Sequence, residues 1–127
     1  MFEMHIWLTL RDTYENEDII ETKECDYDEI FYMLSMHDIE VKKQNGNVFL
    51  EKTVFSNRKT REIDEILNAI KRIAEIASGS YGLIYIWDDE DKYEKENEFQ
   101  VYVIAKGRVF LRKDEFLSPC IPVIENK

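Results

Sequence analysis

The sequence predicts an α+β fold, a mostly antiparallel sheet with two helices on one face and the element order βαββαβββ. Three patterns lead there. Apolar and polar residues alternate through 2–10, a helical stripe runs through 60–79, and glycine turns at Asn45-Gly46 and Lys106-Gly107 each divide a pair of strand-like runs. The first six elements, βαββαβ, permit a ferredoxin-like core, which the last hairpin extends. With 127 residues, 44% of them hydrophobic and 13% aromatic, the chain suffices to bury one core, and residues 1–127 are expected to form a single domain.

In residues 2–10, Phe2, Met4, Ile6, Leu8 and Leu10 share one strand face, while Glu3, His5, Trp7 and Thr9 share the other. The stretch that follows has no clear period until Asp26, a suitable cap for a helix over 26–37 whose apolar stripe is Tyr27, Ile30, Phe31 and Leu34. Asp28 and Glu29 stand in its first turn, where the helix dipole favours acids. Ile39 to Gln44 and Asn47 to Phe55 then read as a hairpin about Asn45-Gly46, with Val41 opposite Leu50. The second helix has Thr60 as its cap and a stripe of Ile63, Ile66, Leu67, Ile70, Ile73, Ala74 and Ala77; Gly79 is expected to close it in the left-handed conformation. Tyr81 to Trp87 is apolar on both faces, which suits an interior strand covered on both sides. Gly82 within it marks a bulge or a close backbone contact. Phe99 to Ala105 and Arg108 to Arg112 form the last hairpin, and Pro119 and Pro122 bar regular pairing in the tail.

The net charge is −10, and it is unevenly spread. Residues 12–29 hold nine acids and one lysine, residues 88–97 hold six acids and two lysines, and the rest of the chain sums to +2. Such a surface repels phosphates, so a nucleic-acid partner is excluded and a basic protein partner is favoured. No apolar run reaches the roughly 20 residues needed to span a bilayer, and the start MFEMHIWLTLRD lacks the pattern of a secretory signal. The expectation is a cytoplasmic protein without a membrane partner. Cys25 and Cys120 lack CxxC spacing and neighbouring histidines, so they read as reduced, buried thiols and not as a disulfide framework or zinc site.

Motifs that carry chemistry are incomplete. Gly79, Ser80 and Gly82 lie close together, but no Gly-Lys-Ser/Thr follows to hold a phosphate. The nucleophile elbow GxSxG does not occur, and His37, near a helix end, reads as a surface residue compensating the helix dipole. The run Asp88, Asp89, Glu90, Asp91 has Tyr93 where a calcium loop requires glycine. Neither an enzyme, a metal site nor a cofactor is expected.

Three blocks carry a family resemblance: GSYGLIYIWDDED at 79–91, NEFQVYVIAKG at 97–107 and DEFLSPCIPVIEN at 114–126. In order and spacing they resemble the immunity protein 7 family of bacterial polymorphic toxin systems. His5 and Trp7 in the first strand resemble the start of that family more loosely, and residues 12–60 match in outline. Lys106, Glu115 and Asn126 depart from it, standing where arginine, proline and an acid are typical. The resemblance implies a protein that binds the C-terminal domain of a cognate toxin, a nuclease among the candidates, and protects the cell that makes it.

The expected toxin-binding residues are Asp88, Asp89, Glu90, Asp91, Tyr93 and Glu94 in the later acidic segment, with Tyr14, Glu15, Glu17 and Asp18 in the earlier one. Acids facing a basic active groove would speed encounter and occlude substrate, and the tyrosines would serve as anchors. A variant is exosite binding through the sheet face that bears Trp7. Two alternatives from other classes are an acidic adaptor for another basic protein and a small hydrolase, for which no catalytic set is complete.

Overall fold

The structure is a computed structural model, and it describes residues 1–12, 26–90 and 97–119. Its elements are β1 (Phe2–Leu10), α1 (Tyr27–Met36), β2 (Glu40–Gln44), β3 (Asn47–Ser56), α2 (Arg61–Ile76), β4 (Tyr81–Asp88), β5 (Gln100–Ala105) and β6 (Arg108–Lys113). The order is the predicted βαββαβββ. All pairings are antiparallel, in a six-stranded sheet ordered β2-β3-β1-β4-β5-β6. β3 lies between β1 and β2, and β1 lies between β3 and β4, so each βαβ unit is split by a strand of the other. This is the ferredoxin-like arrangement, extended by β5 and β6.

Local chemistry accounts for the elements. The Asp26 carboxylate caps α1 by accepting the Glu29 N–H at 3.2 Å. Both hairpins turn through two consecutive left-handed residues, Asn45-Gly46 (φ 50° and 76°) and Lys106-Gly107 (φ 55° and 72°), the geometry that matches strand twist. Val41 pairs with Leu50 as the alternation requires. Phe2, Met4 and Leu8 of β1, Leu50 of β3 and Ile84 of β4 pack with Ile30 and Leu34 of α1 and with Ile66, Ile70 and Ile73 of α2 in one buried cluster. Burial of this kind contributes about 25 cal/mol per Å² of apolar surface.

Three expectations need correction, and a fourth, the Thr60 cap, is met in position alone. Gly79 does not close α2 in the left-handed conformation; among the described residues the left-handed glycines are Gly46 and Gly107. The helix ends earlier, where the Ala77 N–H donates to the Ile73 carbonyl at 2.8 Å and the Ser80 N–H returns to the Ala77 carbonyl at 3.0 Å. Thr60 occupies the cap position of α2 in an extended conformation, but its side chain makes no capping bond. His37, expected at the surface, is buried, because left-handed Asp38 (φ 52°) folds the chain back until the Ile39 N–H reaches the Leu34 carbonyl at 2.9 Å. Finally, β4 is interior to the sheet but unevenly covered: the helices bury Gly82, Ile84 and Ile86, whereas on the opposite face Leu83, Tyr85 and Trp87 are half-buried and Tyr81 is exposed. Cys25 and Cys120 lie outside the described residues.

Candidate functional site

The sheet face away from the helices is an open, aromatic surface. Strand alternation and register place Phe49, Glu51, Thr53 and Phe55 of β3 on it beside Glu3, His5, Trp7 and Thr9 of β1, followed by Tyr81, Leu83, Tyr85 and Trp87 of β4. Val103 of β5 and Phe110 of β6 continue it. Trp7, Phe55 and Tyr81 are 52%, 59% and 42% exposed. Their rings interlock at the edges: Trp7 meets Tyr81 at 6.4 Å between centroids and His5 meets Phe55 at 5.6 Å. Glu3 carries its carboxylate 3.2 Å from His5 Nε2, and Lys42 pairs with Glu51 at 2.9 Å. An exposed pair such as Lys42–Glu51 contributes little to stability.

Thr9 is buried on the same face, between Phe49 and Tyr81 in register, and its hydroxyl has no hydrogen-bond partner among the described residues. An unpaired buried hydroxyl costs about 1–3 kcal/mol of desolvation. Thr9→Val, which keeps the branched shape, is expected to raise stability by about 1 kcal/mol, read as a higher midpoint in urea unfolding.

At one end of the face a turn is built around Asp114. Its buried carboxylate accepts the Phe116 N–H at 3.0 Å, the Leu117 N–H at 2.9 Å, the Ser118 hydroxyl at 2.8 Å and the Tyr85 hydroxyl at 3.3 Å. Ser118 Oγ in turn accepts the Phe99 N–H at 2.9 Å, and the Phe99 ring meets Tyr85 edge-on at 5.5 Å. Residues 114–118 are thereby tied back onto the sheet. Burial raises the Asp114 pKa, but the hydrogen bonds from Phe116, Ser118, Leu117 and Tyr85 outweigh it and hold the carboxyl below its ordinary value. Burial and the adjacent carboxylate both push the Tyr85 phenol above its ordinary value. Sequence reasoning missed this hub, although Asp114 followed four residues later by Ser118-Pro119 is a legible turn signal.

The acidic residues divide by position. Asp88 ends β4 opposite Phe2, its carboxylate accepts the Glu90 N–H at 3.0 Å, and Asp89 pairs with the terminal ammonium of Met1 at 2.6 Å. Glu90 is exposed beside them. Asp91, Tyr93 and Glu94 lie outside the described residues, as do Tyr14, Glu15, Glu17 and Asp18. The two segments are nonetheless rooted far apart: Asp12 follows the C-terminal end of β1 and Asp88 sits at its N-terminal end. A nine-residue strand separates them by roughly 26 Å. Among the described residues no group of three or more His, Cys, Asp or Glu side chains is placed to hold a metal ion, and no helix is long and apolar enough to cross a membrane.

No curated protein and no solved structure matches this chain. A family model described as Immunity protein 7 matches residues 1–126, taking in the first strand and the central elements as well as the three C-terminal blocks. The chain belongs to the Immunity protein 7 family.

Proposed function

We propose that this protein binds the toxin domain encoded beside it and neutralises that domain by association alone, in the cytoplasm of the producing cell and with no reaction of its own. The family match over residues 1–126 carries this reading, since membership implies an immunity protein of a toxin system. The charge distribution supports a basic partner. Asp88, Asp89 and Glu90 form an acidic end on the sheet, continued in sequence by Asp91, Tyr93 and Glu94, and a second acidic stretch holds Tyr14, Glu15, Glu17 and Asp18. These residues face a basic groove of the toxin, as in a nuclease, and exclude its substrate.

Acids so placed act mainly on encounter, lifting association toward about 10⁸ M⁻¹s⁻¹ at low salt. Lysine at 88, 89, 90 and 91 is expected to slow association at least about tenfold at low salt and to flatten its salt dependence. Stopped-flow mixing with the toxin domain reads both, and an unchanged rate and salt slope would remove the acidic end from the interface. Co-expression with the toxin tests the wider reading: cells carrying the wild-type chain survive, and death of those cells would overturn it.

A further inference from the structure

We infer that the open face of the sheet, centred on Trp7, Phe55 and Tyr81, is the surface that holds the toxin, and that the acidic end beside it guides the toxin into place. The inference rests on the functional reading above and assigns the contact surface, which neither family membership nor the charge pattern supplies.

Four observations converge. First, the two faces are unequal: the helices cover one, and on the other Trp7, Phe55 and Tyr81 remain 52%, 59% and 42% exposed in a chain of which 35% is charged. Trp7 meets Tyr81 and His5 meets Phe55, so the exposed rings form two neighbouring aromatic clusters along β1, and exposed apolar surface of this kind marks an interaction site. Second, the side chains are suitable anchors, because tryptophan and tyrosine bury large area at low entropic cost and dominate the centres of tight interfaces. Third, there is area to bury. Outside the region packed by the 114–118 turn, about four strands spaced about 4.8 Å apart, at roughly seven residues each, present on the order of 400 Å². That is about half of the roughly 800 Å² per partner of a standard interface, with the rest falling to a rim.

Fourth, charge selects the occupant. Glu3 pairs with Phe55 on one side and with Trp87 on the other, and Asp88, Asp89 and Glu90 leave the sheet at that same end. The aromatic centre therefore has an acidic border. Two copies of a −10 chain brought face to face would repel. A basic domain presenting an apolar protrusion meets both the rings and the border, and that is the chemistry expected of the toxin.

The test is titration of the neighbouring gene's toxin domain with three folded variants, Trp7→Ala, Phe55→Ala and Tyr32→Ala, each first shown to keep the wild-type urea midpoint. Tyr32 is 65% exposed on α1, in the helical layer, and serves as the control. Trp7→Ala and Phe55→Ala are expected to weaken binding at least about 30-fold each through faster dissociation, with Tyr32→Ala unchanged. Wild-type affinity in both face variants, or an equal loss in Tyr32→Ala, overturns the docking face and leaves the functional reading standing. A wild-type dimer that Trp7→Ala dissociates overturns it in favour of self-association. Absence of any binding by the wild-type chain overturns the functional reading and the docking face together.

Discussion

Gly82→Ala is expected to lower stability by about 3 kcal/mol or more. Gly82 lies in the interior strand β4, paired with Leu8 of β1 on one side and Ile104 of β5 on the other. A β-carbon built on it would overlap the Trp7 carbonyl oxygen and stand 2.7 Å from Leu8 Cα. Both are backbone atoms of the central strand, so no side-chain rotation relieves the overlap. β1 and β4 would have to separate in the middle of the sheet, breaking hydrogen bonds and opening the core at Leu8 and Ile84. Urea unfolding followed by far-UV circular dichroism measures the effect; an unchanged midpoint would show that the strands are not this close.

Asp114→Asn is expected to cost about 2–3 kcal/mol at neutral pH. The carboxylate receives four hydrogen bonds, two from backbone N–H groups and two from hydroxyls, and an amide turns one accepting oxygen into a donor facing donors. The pH dependence gives a second reading. Because the folded pKa lies below the ordinary one, the stability due to ionised Asp114 is fully present above about pH 4 and is lost as pH falls through the depressed value. The asparagine variant has no such component. The stability gap between wild type and variant should therefore narrow in acid, measured as urea midpoints from pH 7 down to pH 3; a constant gap would assign the loss to packing instead. The segment released is the 114–118 turn that borders the open face, so the variant should also weaken toxin binding.

The elements were legible because their signals are local. Alternation in residues 2–10, the Asp26 cap and the two glycine turns each act within a few residues, and the observed boundaries follow them closely. Where the reading went astray, a distant contact decided. The apolar stripe of α2 runs on to Ala77, but the approach to β4 turns the chain at Ala77 to Ser80, before Gly79 could act as the closing residue. Apolarity on both sides of β4 points to two covering layers, yet hydropathy reports what a side chain tolerates and not which layer lies over it. The same limit left the docking face incomplete: the sequence points to the side bearing Trp7, but Phe55 and Tyr81 come from other strands and share that side only because β3, β1 and β4 are neighbours.

The sequence by itself determined the secondary structure, the α+β class, the uneven acidity and the family, since each is written in residue type and short spacing. Tertiary structure alone decided the strand order, the buried Asp114 hub, which of the two readings of Gly82 holds and which face of the sheet stays open. It also set Asp88 at the opposite end of β1 from Asp12, because pairing partners are chosen by packing between elements far apart in the chain, and no local pattern encodes that choice.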